Sequence, residues 1–222
     1  MECTDYPAAK AAADVRPPRK RRKEARPSEL TAAALALFVE KGFAATRLDD
    51  VASHAGVSKG TLYLYFDSKE ALFKAVIAEG IVPRIAEAVQ YIGGFDGTCM
   101  ALLHQLIENW WTQIGSTPLA GVAKLIISES RNFPDVARYY QESVILPVRA
   151  LLRTVLERGM VAGEFRKMDA EAVIDVIFAP LLALVLSRFS IGFCSRVDDP
   201  ETLLQVHVDL LMQGLQRPKG MS

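Results

Sequence analysis

The chain has 222 residues, half of them apolar, enough for one large or two modest domains with a sizeable core. Its 26 Lys and Arg balance 26 Asp and Glu, so the overall charge names no partner. Cys3, Cys99 and Cys194 are odd in number and far apart, which excludes a disulfide framework and a cysteine metal cluster and points to a reducing cytoplasm.

Residues 1–27 hold Pro7, Pro17, Pro18, Pro27 and the basic cluster RPPRKRRKEAR. Too little there is apolar to be buried, so a disordered basic arm is expected. Basic residues outnumber acidic ones from Arg16 to Phe66, the asymmetry of a chain whose one end meets a polyanion. No apolar run follows the basic cluster, so a signal peptide is not expected.

From Ser28 onward the patterning is helical, with no alternating strand pattern longer than a few residues, and the expected fold is all-α. A first helix runs from about Ser28 to Glu40 and stops at Gly42. Thr46 followed by Asp49 reads as a capping box, opening a short helix from Arg47 to near Gly56. Gly56 suits the left-handed position that ends such a helix, and Ser58 can cap the next one. In DSKE the pattern repeats: Asp67 is the expected cap, with Glu70 three on, of a longer helix that ends or bends near Gly80 and Pro83.

Helix, tight turn, short helix is a helix-turn-helix. On the second helix, VSKGTLYLYF, Leu62 and Phe66 pack inward with Val57, while Gly60, Thr61 and Leu64 project away, flanked by Lys59 and Tyr63. That outward face suits a DNA major groove. Gly60 permits close backbone approach; Ser58, Lys59, Tyr63 and Tyr65 can donate to phosphates; Thr61 and Leu64 can touch base edges.

The stretch from LFVEKGF through DDVASHAGVSKGTLYLYF to SKEALF resembles the N-terminal domain of TetR-family transcriptional regulators, over about residues 28–77 without a gap. The resemblance implies that Thr46, Arg47, Ser58, Lys59, Gly60, Thr61, Tyr63, Tyr65 and Lys69 take DNA-contacting positions, with Tyr63 and Lys69 mainly on phosphates. It also implies a C-terminal helical domain that encloses an effector pocket and dimerises through its last two long helices, here about 142–160 and 169–193. The division expected is a 1–27 arm, a 28–74 DNA-binding domain, and a 75–222 effector and dimerisation domain.

In that second region helices are expected at about 96–115, 118–130, 134–160, 169–193 and 200–216. Pro118, Pro134 and Pro200 suit first turns, Asp169 and Asp199 suit caps, and Pro147 should break or kink the third. Residues 173–194 are apolar enough to be mistaken for a membrane span. The charge-free run from Asp175 to Arg188 is 12 residues, short of the roughly 18–20 that a bilayer needs, so burial between subunits is expected instead. His104 and Trp111, seven apart, share a helix face and are candidate cavity residues. Glu108, Asn109 and Gln113 are placed to orient a ligand, and Phe133 and Phe178 are further aromatic candidates.

Three isolated histidines, no Gly-rich phosphate loop and no nucleophile elbow argue against an enzyme, a metal site or a cofactor. The expected protein is a cytoplasmic homodimer that represses transcription from a palindromic operator and is released by a small apolar or aromatic effector. The alternative is an effector-independent DNA-binding or architectural protein that relies on the basic arm.

Overall fold

The computed structural model describes residues 19–189 and 199–216. Among them the chain is all-α, with no strand. Residues 1–18 of the expected arm lie outside the described residues. The backbone from Arg19 to Pro27 is not irregular, as expected of an arm, but continues α1, Arg19–Lys41. Lys, Arg, Glu and Ala are good helix formers, and they carry the helix back across Pro27.

Helix α1 turns Leu30, Ala34, Leu37 and Phe38 into the core and ends at Gly42, whose φ of 86° only glycine adopts freely. Helices α2 (Leu48–His54) and α3 (Lys59–Tyr63) follow, then α4 (Lys69–Gly80). Phe38, Phe43 and Phe73 close the middle of this unit, with ring centroids 5.1–5.3 Å apart.

Two of the expected caps are corrected. Thr46 does not cap α2; its hydroxyl turns back to donate to Leu37 O (3.2 Å) and Gly42 O (2.7 Å). That hydroxyl ties the loop after α1 back onto the end of the helix, and this longer-range contact outweighs the local capping box. At α4 the cap is Ser68, whose Oγ accepts from Ala71 N at 3.0 Å, rather than Asp67.

Helix α5, Val82–Gly93, begins with Pro83 in its first turn, so α4 ends where expected. Then come α6 (Cys99–Trp110), a π-helical turn at Trp111–Gly115, a 3-10 turn at Pro118–Ala120, and α7 (Gly121–Glu129). Helix α8 (Pro134–Tyr140) passes through a second π turn, Gln141–Ile145, into α9 (Leu146–Val161). Pro147 thus does not break the helix: the wider turn before it absorbs the missing N–H. Helices α10 (Ala170–Phe189) and α11 (Pro200–Leu215) complete the chain, and Asp169 and Asp199 accept from backbone N–H groups at their starts.

The core falls into two clusters. One joins α1–α4 with Leu119, Val122, Leu125, Val136 and Val144, so α7 and α8 pack directly on the helix-turn-helix unit. The other joins α6, α9, α10 and α11 around Leu103, Val155 and Phe165.

Helix α10 is the one described helix long and apolar enough to cross a membrane, with mean hydropathy 2.1, and only 28% of its apolar window is buried within the subunit. Its outward residues include Val176 and Leu182, and α11 beside it exposes Val206 and Leu210. Helix α9, expected to share a dimer interface, exposes Leu146 and Val161 but also carries Arg149 and Arg153, which are tied to Glu171 and Asp175 of α10. A face already ion-paired within its own chain is a poor apolar contact.

Candidate functional site

Tight geometry presents α3. After α2, Gly56 takes φ 65°, and Val57 N–H donates to Ala52 O at 2.9 Å, turning the chain sharply. Ser58 caps α3 by accepting from Thr61 N at 3.1 Å, and its hydroxyl also meets the Thr61 hydroxyl at 2.8 Å. Leu62 and Phe66 are buried and Val57 packs against them, which leaves the opposite face outside. On that face Leu64 is 82% exposed and Tyr63 46% exposed. Ser58, Lys59 and Gly60 are exposed, Thr61 and Tyr65 half-buried, and Arg47 stands exposed beside them at the start of α2.

Lys59 is held by Asp49 at 2.9 Å, and that carboxylate raises the lysine pKa. Asp49 therefore fixes the direction of a cation at the edge of α3 instead of capping α2. The Lys59 Nζ also lies 5.8 Å from the Tyr63 ring centroid, so the three side chains form one exposed group.

Two members of the expected contact set are placed elsewhere. Thr46 is 1% exposed and its hydroxyl is spent on α1. Lys69 points away from the outer face of α3: its Nζ donates to Phe43 O (2.7 Å), Ala44 O (3.0 Å) and Thr46 O (3.1 Å) and lies over the Phe43 ring. An ammonium has three N–H donors, and all are used. Burial pushes its pKa down, and the nearby carboxylates of Glu70 and Glu129 oppose that shift. Lys69→Met is expected to lower stability by about 2 kcal/mol, a Tm loss of about 4–8 °C. Operator affinity of the folded fraction should stay within about threefold, which titration below the new Tm checks. A phosphate-holding lysine would give the reverse: tenfold weaker binding at unchanged Tm.

Behind this unit lies a partly open cavity of about 710 Å³ bordered by α5–α10. Its walls are mainly Ile, Leu, Val and Ala side chains. Arg84, Glu87 and Tyr91 of α5, Asn109 and Gln113 of the α6 segment, and Tyr140 and Gln141 of the α8 segment supply polar atoms. Burial pushes the Tyr140 phenol up to about 12, so it stays protonated and available as a donor at neutral pH.

Of the expected cavity set, Phe178 lines this space, as do the orienting residues Asn109 and Gln113; His104, Glu108, Trp111 and Phe133 do not. His104 and Glu108 pair with each other at 3.3 Å on the partly exposed side of α6. Trp111 begins the π turn, and its buried indole Nε1 has no partner among the described residues; Trp110 faces the cavity instead. Phe133 packs edge-on against Phe43 at 4.6 Å, in the seam between α8 and the α1–α4 unit. Arg84 and Tyr140 were missed. The signal for the α5 wall was present: Ile81, Arg84, Ile85, Ala88 and Tyr91 recur at one-face helical spacing.

Comparison with known proteins bears on both halves. Residues 30–76 match the model of bacterial regulatory proteins of the tetR family, and residues 96–190 match a tetracyclin repressor-like C-terminal domain. The HTH-type transcriptional repressor KstR2 of Rhodococcus jostii is 27% identical over 198 residues, covering 88% of this chain and 94% of its own. The HTH-type transcriptional regulator RutR of Escherichia coli K12 is 29% identical over 183 residues, covering 72% and 74%. Among solved structures, FadR of Bacillus subtilis in complex with stearoyl-CoA superposes with TM-score 0.71 at 21% identity, covering 85% of this chain and 99% of its own. A Saccharomonospora viridis regulator in complex with choline gives 0.73 at 18%, covering 87% and 99%. These two share the fold. With a helix-turn-helix model on the first half, a repressor C-terminal model on the second, and relatives named as transcriptional regulators, the chain belongs to the TetR family of bacterial transcriptional regulators.

Proposed function

We propose that this protein is a ligand-responsive repressor that binds a two-fold symmetric operator as a homodimer and lets go when a small, largely apolar molecule fills the 710 Å³ cavity. The observation that carries the DNA assignment is the outward face of α3: a leucine 82% exposed, next to a half-exposed tyrosine on a helix pinned from behind. A small rigid element that leaves such groups in water is built to be covered by a partner. Arg47, Ser58, Lys59, Gly60, Thr61 and Tyr63 surround it, with Tyr65 partly buried at its end. Operator DNA places the protein in the cytoplasm.

Release requires the cavity and the reading helix to be mechanically joined, since a ligand shifts only an equilibrium whose states it distinguishes. Helices α7 and α8 supply this link. Ile126 and Ala137 line the cavity, while Leu125, Val136 and Phe133 of the same helices pack on Phe43, Phe73 and their neighbours. A dimer through α10 and α11, rather than α9 and α10, would cover the apolar stripe carrying Val176, Leu182, Val206 and Leu210. Two solved structures that share the fold are complexes with stearoyl-CoA and with choline, which supports a ligand-binding role.

Gly60 gives a test. A Cβ added there would meet nothing nearer than Ser58 Oγ at 4.0 Å, so the fold does not need this glycine. Gly60→Ala should leave Tm unchanged or raise stability by up to about 1 kcal/mol. It should weaken operator binding at least about tenfold, read by fluorescence anisotropy, because the methyl group meets the groove wall. Undiminished affinity would show that α3 does not approach DNA through this residue.

A further inference from the structure

Among the described residues the cavity lining carries one cation and one carboxylate, Arg84 and Glu87, one helical turn apart on α5. They do not pair: among the described residues the hydrogen bond of Arg84 goes to Gly80 O of its own segment, and no carboxylate lies within ion-pair reach. A guanidinium offers five N–H donors in a fixed fork, so most of them are unspent. Arg84 is half-buried against apolar walls, whereas Glu87 is exposed, where water screens its charge. In the drier setting the cation acts more strongly on a ligand.

Resting on the cavity as the effector site, we propose that the effector is an amphipathic carboxylate, an apolar chain or ring system with a single acidic group that the Arg84 fork holds. Two carboxylate oxygens match two parallel guanidinium N–H groups, and such charge-assisted pairs are the strong ones. The single cation limits the ligand to one acidic group inside the cavity. The Ile, Leu and Val walls require the remainder to be apolar. The volume of about 710 Å³ sits within the roughly 300–1,000 Å³ that drug-sized molecules fill.

Of the chain's two tryptophans Trp110 lines the cavity wall and Trp111 neighbours it, ring centroids 6.3 Å apart, so intrinsic fluorescence reports occupancy. The experiment titrates the full-length protein with dodecanoate, dodecanol and dodecyltrimethylammonium, each below its micelle concentration, for wild type, Arg84→Met and Arg84→Lys. Wild type should bind dodecanoate at least about tenfold more tightly than dodecanol. Arg84→Met should shrink that preference below about threefold while dodecanol affinity holds. Arg84→Lys, keeping the charge but losing the fork, should fall between. Equal affinities in wild type, equal losses for both probes in Arg84→Met, or tightest binding of the ammonium probe would each overturn the carboxylate assignment while leaving an effector cavity. Failure of all three probes to change fluorescence or release bound DNA would overturn the cavity reading itself.

Discussion

Placing aspartates at Val176 and Leu210 together is expected to convert the protein into a folded monomer and to cost about 100-fold or more in operator affinity. Both side chains are largely outside the subunit, 58% and 66% exposed, so their removal opens no cavity in the core. They sit on α10 and α11, and α10 is too apolar to leave most of its surface in water unpartnered. In a two-fold interface each substitution occurs twice, so several carboxylates would lose water with no counter-charge, at several kcal/mol each. The affinity falls because a monomer engages one half-site and loses the effective concentration that tethering supplies. Sedimentation velocity gives the mass, and a preserved thermal transition shows that the subunit still folds. A dimeric double variant with unaltered binding would mean that the stripe serves another purpose.

The second large effect is on stability. A Cβ on Gly159 would fall 2.2–2.9 Å from carbon atoms of the Phe165 ring. That ring has little room to retreat: it is 2% exposed, and its own N–H and that of Glu164 both donate to Gly159 O, at 3.1 and 3.0 Å. Close packing turns such overlap into backbone displacement. Gly159→Ala is expected to cost about 3 kcal/mol and to lower Tm by about 6–12 °C in differential scanning calorimetry. Gly214→Ala is the control. It is also helical, nothing lies within 4 Å of its added Cβ, and it should be neutral or slightly stabilising. Equal effects of the two substitutions would show that helix propensity, not the Phe165 contact, dominates.

What could be read in the sequence was short-range. Gly42 and Gly56 stop their helices because φ values of 86° and 65° belong to glycine, and Ser58 caps α3 within three residues of itself. The inward set Leu62 and Phe66 follows from helical spacing alone. The misreadings share a cause, a partner far away in sequence. Thr46 had a plausible local cap but serves carbonyls of α1. Lys69, which the resemblance sets on phosphates, is held by carbonyls of the 43–46 loop more than twenty residues before it. Asp49 gave up capping for Lys59, ten residues on. Along α6, extrapolation at regular helical spacing carried Trp111 and His104 to the cavity, whereas the structure turns Trp110 inward at the entry to a π turn. No composition rule announces that turn.

Selection of genomic fragments by the purified protein at physiological salt, followed by footprinting of the retained fragments, tests the central claim most directly. The reading predicts palindromic footprints with half-sites about one helical turn apart or a little more, lost with Tyr63→Ala. Binding spread evenly over all fragments, steeply salt-dependent and unaffected by Tyr63→Ala, would contradict a sequence-reading α3 and favour an architectural DNA-binding protein.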